Sequence, residues 1–118
     1  MWLAGQLKNH ASVTVKYKRG VESVSVSATV GRSMFELVSA ANVLTKLDVR
    51  DYLILADDLI LSGSGIQPQA GDTIEETQVS IKHTYEVMSP GDEPLFRFAD
   101  EFRTMLRIHT KEISSGAV

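Results

Sequence analysis

Hydrophobic and polar residues alternate along several short stretches of this chain, the pattern of strands that bury one face and expose the other. The first two stretches, 12–18 and 23–30, place apolar residues between serines, threonines and lysines. Arg19 and Gly20 stand between them, and glycine readily adopts the backbone angles of a tight turn. The two stretches therefore predict a β-hairpin.

Four later stretches also have the length and composition of strands. They are the continuous apolar run 52–56, which is typical of a strand buried on both faces, the short strand 73–75, and the alternating runs 79–87 and 106–111. Turn-forming residues recur about every 8–14 residues, as in small sandwiches and barrels. We therefore predict a mostly all-β fold, a small antiparallel β-barrel or sandwich.

The sequence of residues 31–47 is compatible with two different structures. Ser33 and Glu36 have the spacing of a helix cap, and apolar residues over 34–41 recur at helical intervals, which favours a helix. The alternation from 43 to 49 favours a strand instead. This stretch is therefore either one long projecting hairpin or a helix-containing loop.

The length of 118 residues corresponds to one domain. We expect residues 1–11 to form an N-terminal arm or a short helix, and residues 12–113 to form a single β-barrel domain. The small, polar segment 114–118 is expected to be a flexible tail.

Composition excludes several classes of function. Cysteine is absent, which rules out disulfides, thiolate metal sites and a cysteine nucleophile. The net charge of −3 is weak and has the wrong sign for wrapping nucleic acid. The opening MWLAGQLKNH lacks the basic start and long apolar stretch of a signal peptide, and no apolar run approaches the ~20 residues of a membrane span. We therefore expect a non-secreted protein that does not enter a membrane.

The residue types that most often carry catalysis form no recognisable arrangement in the sequence. His10, His83 and His109 lie on different predicted elements and lack the spacing that brings two imidazoles to one metal. The segment 63–65 resembles a phosphate loop but lacks the lysine and the helix that follow one. We predict no catalytic, metal-binding or cofactor-binding residues.

Gly71 and Asp72 raise the question of catalysis most directly. Asp72 could act as an acid or a base, and a small hydrolase would need it to converge with His109 in one pocket. The alternative is structural: Gly71 provides a positive φ at a sharp corner, and Asp72 accepts hydrogen bonds from backbone amides of the turn. We favour the structural corner.

A basic and aromatic segment is the best candidate for a contact surface. Arg97, Phe98 and Arg103 combine residue types that can stack single-stranded bases, but acidic residues in the same stretch weaken its positive field. Arginine and aromatic residues are also enriched where proteins meet. We predict that these three residues, with Asp57 and Asp58, form a subunit or docking interface.

Four motifs together give the chain a resemblance to a known family. RDYLILADDL, PQAGDTIEE, TYEVMSPGDEP and FADEFRTMLRIHTKEI follow one another between residues 50 and 113. A buried strand, a charged turn, a Gly-Asp corner, a Tyr-x-Val strand and a basic terminal strand, in this order, resemble the head–tail joining proteins of tailed bacteriophages. These are also called head-closure, stopper or connector proteins. The resemblance covers roughly residues 12–113.

The resemblance implies a virion structural protein with a small β-barrel, which is not an enzyme and needs no cofactor. Copies made in the bacterial cytoplasm would assemble into a homo-oligomeric ring, a hexamer or dodecamer, between portal or adaptor proteins and the tail. The ring would extend the DNA channel, let double-stranded DNA pass without specific binding, and dock the tail. Segments 31–47 and 57–70 would face the channel or adjacent rings. A tail-terminator ring and a small-barrel nucleic-acid-binding module are the alternatives.

Overall fold

The computed structural model describes the backbone of residues 12–38, 44–91 and 93–117, and the side chains of these residues outside 33–48. The strands of this part are β1 Ser12–Arg19, β2 Glu22–Val38, β3 Leu44–Leu55, β4 Ile60–Leu61, β5 Ser64–Gly65, β6 Thr73–Gln78, β7 Ile81–Val87, β8 Phe96–Phe98 and β9 Met105–Ala117, with a short 3₁₀ helix at Ala56–Asp58. The arm or helix predicted for 1–11 lies outside the described residues.

Six of the strands close into an antiparallel barrel. Their order around it is β3, β2, β1, β6, β7 and β9, and β9 then pairs with β3 from Arg50 opposite Thr110 to Leu55 opposite Met105. The short β8 pairs with the first part of β9, and β4 pairs with β5 in a separate small hairpin. The prediction of a small antiparallel β-barrel is confirmed.

The core fills the interior of the barrel with alternate side chains of its strands. The largest fully buried apolar side chains are Tyr17, Tyr52, Ile54, Leu59, Ile74, Leu106 and Ile108. They come from β1, β3, β6 and β9 and from the segment after the 3₁₀ helix. Val26 and Ala28 of β2 and Tyr85 and Val87 of β7 belong to the same core, so every strand of the barrel contributes to it. Ile54 and Leu106 lie directly opposite each other where the barrel closes.

The β1–β2 hairpin has the predicted strands and turn. Ser12–Arg19 pairs with Glu22–Thr29 without interruption. Gly20 has a φ of 61°, so glycine occupies the turn position that requires a positive φ. Val21, the second turn residue, is fully exposed.

The helix favoured for 34–41 is wrong over the described residues. β2 continues as a strand to Val38, which lies opposite Leu44 at the start of β3, and residues 39–43 lie outside the described part. Helical spacing is a local signal, and pairing with a strand distant in sequence overrides it.

The apolar run 52–56 is buried on one face only. Tyr52 and Ile54 are fully buried, Leu53 is half-buried, and Leu55 is 46% exposed. A continuous apolar run is typical of strands covered on both sides, but the wall of a barrel has only one interior face.

The strand predicted at 79–87 begins at Ile81 instead. Val79 and Ser80 form a two-residue turn between Gln78 and Ile81, with φ angles of 49° and 64°. β6 reaches this turn by continuing three residues beyond the predicted strand 73–75. Alternation alone placed Val79 in the strand, although its backbone is left-handed.

The last strand runs further than predicted. β9 continues to Ala117, which lies opposite Ile81 of β7, so the expected tail 114–118 is paired up to that residue. Serine and glycine have a weak strand propensity of their own, and the neighbouring strand supplies the missing stabilisation. The domain boundaries and the flexibility of the tail stay predictions.

The closing pair of β3 and β9 gives a direct test of the fold. Leu106→Ala should lower the free energy of unfolding by about 2–5 kcal/mol, because it leaves a cavity in the core at the closing pair. Leu55→Ala, a matched change of an exposed residue on the partner strand, should cost less than about 1 kcal/mol. Urea denaturation measures both, and equal losses would contradict this account of the core.

Candidate functional site

The corner at Gly71 and Asp72 connects the start of β6 to the end of β7. Gly71 has a φ of 93°, and a side-chain carbon added there would meet no atom within 4 Å. Glycine is therefore required for its backbone angle and not for space. The Asp72 carbonyl accepts a hydrogen bond from the Val87 amide at 2.8 Å, and the Asp72 amide donates to Gln69 at 3.1 Å.

The Asp72 side chain is buried and has four donors around it. Arg19 donates from Nε to Oδ1 at 2.9 Å and from Nη2 to Oδ2 at 2.8 Å, the two-pronged geometry of a strong ion pair. The Tyr17 hydroxyl and the Gln69 amide, the latter at 3.0 Å, donate to Oδ2. The sequence predicted that backbone amides donate to Asp72, but it did not predict the contacts from Tyr17 and Arg19. These two residues lie beside the corner because β1 pairs with β6.

These contacts set the charge states at the corner. Burial alone would raise the pKa of Asp72, but the hydrogen bonds from Arg19 and Tyr17 outweigh burial and lower this pKa below its usual value. Burial, together with the hydrogen bond to Asp72, raises the pKa of Tyr17 well above its usual range, so the hydroxyl remains a donor. An anionic, fully bonded carboxylate is a structural group and a poor general base at neutral pH.

A second buried carboxylate, Glu76, lies inside the barrel. Its Oε1 accepts hydrogen bonds from the Tyr52 hydroxyl at 2.6 Å and from Arg50 Nη2 at 2.7 Å, and its Oε2 accepts one from Gln78. The Arg50 guanidinium also lies 5.1 Å from the ring centre of Tyr85. Burial would raise the pKa of Glu76, but these hydrogen bonds lower it.

A third buried carboxylate, Asp51, joins β3 to β9. Its Oδ2 accepts from Arg107 Nε, and its Oδ1 lies at hydrogen-bond distance from His109 Nδ1, both at 2.7 Å. His109 therefore belongs to the Asp51 cluster, whereas Asp72 belongs to the corner. The described structure does not bring Asp72 and His109 into the common pocket that the hydrolase hypothesis requires.

His83, the other histidine in the described part of the chain, lies apart from both of these clusters. His83 Nδ1 is 2.5 Å from Glu112 Oε2, between β7 and β9. In the part of the chain that the structure describes, no group of three or more His, Cys, Asp or Glu side chains could hold a metal ion. No helix in the described ranges is long and apolar enough to cross a membrane.

The predicted interface residues lie in three places. Asp57 and Asp58 are in the 3₁₀ helix after β3, and Arg97 and Phe98 are in β8 with side chains on opposite faces. Arg103 precedes β9, and its guanidinium lies 5.6 Å from the centre of the Phe98 ring. Arg97 lies opposite Arg107 across β8 and β9 and is exposed.

The structure brings the acidic helix and the Arg103 loop side by side. The Ala56 amide donates to the Thr104 carbonyl at 2.8 Å, and Asp100 accepts hydrogen bonds from the Thr104 and Met105 amides at 2.9 and 3.0 Å. Phe102 is 77% exposed at this loop. Leu55, Asp57, Asp58, Phe102 and Arg103 belong to these two adjacent segments, and we call them together the Phe102 surface. Leu55 was not predicted to be exposed, because the continuous apolar run 52–56 is typical of a strand buried on both faces. Phe102 lies within the basic and aromatic segment predicted to form a contact surface, although it was not among the residues selected there.

Comparison with known proteins identifies the family. A family model described as "Phage head-tail joining protein" matches residues 1–117. The chain therefore belongs to the phage head–tail joining proteins: it is a structural protein of the phage virion with a connector role between head and tail, where portal and tail proteins are its partners. No curated protein and no solved structure matches the chain significantly. The resemblance inferred from the four motifs is confirmed.

The corner carboxylate should be important for stability. Asp72→Asn should lower the free energy of unfolding by about 2–3 kcal/mol, because it removes the charge that Arg19 and Tyr17 surround. Asp57→Asn, a matched change at an exposed carboxylate, should change it by less than about 0.5 kcal/mol. Urea denaturation at neutral pH measures both. A loss at Asp72 no larger than that at Asp57 would contradict the structural role.

Stability should also fall on acidification as two of the three buried carboxylates, Asp72 and Glu76, become protonated. The pKa values of Asp72 and Glu76 are lower in the folded chain than in the unfolded chain. Their stabilisation is therefore present above the unfolded-state pKa of about 4 and is lost as the pH falls through the folded-state pKa.

The measurement is the free energy of unfolding between about pH 5 and pH 2. The double variant Asp72→Asn with Glu76→Gln should show a shallower decline than the natural protein. Asp57→Asn with Glu101→Gln, at exposed positions, serves as the control and should retain the natural slope. Equal slopes in the natural protein and the buried double variant would show that these carboxylates do not control acid stability.

Proposed function

We propose that the protein is a head-closure adaptor. Identical copies form a ring, a hexamer or dodecamer, between the portal and the tail; the ring extends the DNA channel, and one surface docks the tail. The family match over residues 1–117 supports the connector role. The observation that carries the docking proposal is the Phe102 surface at one end of the barrel.

The Phe102 surface has the composition of a docking site. Phe102 and Leu55, 77% and 46% exposed, are its apolar side chains. Asp57, Asp58 and Arg103 add charges of both signs. Exposed aromatic side chains supply much of the binding energy where proteins meet, and charges at the rim select the partner and its orientation. We assign this surface to the tail.

Neighbouring copies in the ring contact each other through side chains on the outside of the barrel wall, because the strands of the closed barrel already pair with one another. Head-to-tail contacts between identical subunits close into rings. Arg97 is exposed on β8, on the face opposite Phe98. We assign Arg97 to the contact with a neighbouring copy, as arginine is enriched in such contacts.

The channel is lined by segments 31–47 and 57–70 in this proposal. β1 pairs with β2 up to Thr29, and β9 pairs with β3 from Arg50 onward. The remaining paired length of β2 and β3, from Ser33 opposite Val49 to Val38 opposite Leu44, is about 20 Å, which is long enough to project from the barrel. The chain carries a net charge of −3. A mildly acidic wall repels phosphate, so double-stranded DNA passes without being held.

Phe102→Ser tests the docking surface. DNA-filled heads from an infection lacking this protein are mixed with the purified protein and with free tails, and joined particles are counted. The variant should reduce joining at least tenfold, corresponding to about 1.4 kcal/mol of docking energy. Its melting temperature should stay within about 2 °C of the natural value, because the side chain is exposed.

Val21→Ser is the control, a change at a fully exposed apolar residue in another turn. It should leave joining unchanged. Natural joining yield with Phe102→Ser would remove the docking proposal. Binding of the natural protein to free tails but not to heads would replace the adaptor with a tail-terminator ring.

A further inference from the structure

Strand β2 has a long edge that no described residue covers. β1 pairs with β2 only as far as Ser12 opposite Thr29, whereas β2 continues along β3 to Val38. Among the described residues, no strand pairs with the β1 side of β2 beyond Thr29. The nine residues 30–38 of β2 therefore have an open side, which we call the β2 edge.

The β2 edge presents backbone groups that need partners. Arg19 and Glu22 close a two-residue turn, so the alternate, even-numbered residues of β2 form their backbone hydrogen bonds towards β1. Beyond Thr29, the even-numbered residues are Val30, Arg32, Met34, Glu36 and Val38. The Arg32 carbonyl accepts a hydrogen bond from Arg107 Nη2 at 3.3 Å and keeps a second lone pair for an amide. An edge of this length is a template for a further strand.

The chain itself has a segment of matching length that leads directly to this edge. Eleven residues precede Ser12, and β1 pairs with β2 in an unbroken register up to Ser12. Continuing the same register without a turn places Ala11 opposite Val30 and Leu3 opposite Val38. Residues 3–11 then pair with all nine residues of the β2 edge.

The sequences of the two segments suit this register. Three apolar pairs result: Ala11 with Val30, Leu7 with Met34, and Leu3 with Val38. No two charges of the same sign lie opposite each other, and apolar cross-strand pairs stabilise a sheet. Residues 1–11 contain no proline, which would remove a backbone donor from the pairing.

The geometry favours this segment of the same chain over a segment of another copy. The segment is joined to β1 at Ser12, so its effective concentration at the β2 edge is on the order of millimolar or higher. A segment of a second copy is present only at the concentration of the protein, and it would have to displace the one already there.

We propose that residues 3–11 form a strand that extends β1 along the β2 edge of the same molecule. β2 and β3 beyond the barrel then belong to a three-stranded sheet, which is more stable than a two-stranded ribbon. The added strand also closes an edge through which copies of the chain could otherwise pair without limit. Of the two structures predicted for residues 1–11, this proposal selects the arm. It does not depend on the adaptor function, and the purified protein alone suffices to test it.

A pair of introduced cysteines tests the register, because the chain contains no cysteine of its own. Lys8→Cys with Ser33→Cys places two thiols directly opposite each other, at a pair of residues whose Cα atoms should lie ~4.5 Å apart, within disulfide range. The matched control is Lys8→Cys with Met34→Cys, which is one residue out of register and places the thiols on opposite faces.

Dilute protein is oxidised mildly and analysed by non-reducing electrophoresis and mass spectrometry. The disulfide within one chain should form at least about tenfold faster in the Lys8 and Ser33 variant than in the control. Equal rates in the two variants would overturn the proposal, and so would a Lys8 and Ser33 variant that stays reduced. A disulfide that joins two chains would also overturn it, because the segment would then lie on the edge of another copy.

Amide hydrogen exchange gives a second test. In the natural protein the amides of Val30 and Arg32 should exchange slowly, because they donate to the added strand. Removal of residues 2–11 should accelerate both by at least about tenfold. The Gly31 amide is the internal control: it faces β3, opposite Asp51, and should exchange slowly in both proteins. Fast exchange at Val30 and Arg32 beside a slow Gly31 in the natural protein would overturn the proposal.

Discussion

Strand β9 is the element on which the rest of the structure depends. It pairs with β3 on one side and with β7 and β8 on the other, so it closes the barrel. Without it, β3 and β7 would become edges with unpaired backbone groups. It carries Leu106 and Ile108 into the core and places Arg107 and His109 against Asp51 of β3. One strand therefore supplies backbone closure, core packing and an ion pair.

Three buried carboxylates fix how the other strands are placed. Asp72 ties the start of β6 to β1, Glu76 reaches from β6 to β3, and Asp51 ties β3 to β9. A shift of one residue in any of these strands would turn a carboxylate to the other face and leave a buried charge without its donors. These clusters resemble catalytic sites in composition, but here they hold the barrel in register.

Much of the fold could be predicted from alternation, and much of the site could not. The β1–β2 hairpin and the all-β class follow from period-two patterns and from glycine at residue 20. Local spacing predicted a helix over 34–41, whereas β2 extends to Val38 because it pairs with β3. The partners of Asp72 are Tyr17 and Arg19, more than fifty residues away in sequence, and no local pattern contains such contacts. The exposure of Phe102 and the left-handed backbone of Val79 likewise depend on the assembled loops and strands.

The proposed adaptor joins two partners while identical copies repeat around an axis. The most direct measurement is the number of copies bound per DNA-filled head when purified protein is added to saturation. A ring adaptor should bind in a fixed number corresponding to one ring, a hexamer or dodecamer, with DNA retained in the head. A variable number of copies that follows the DNA, or no saturable binding at all, would contradict it.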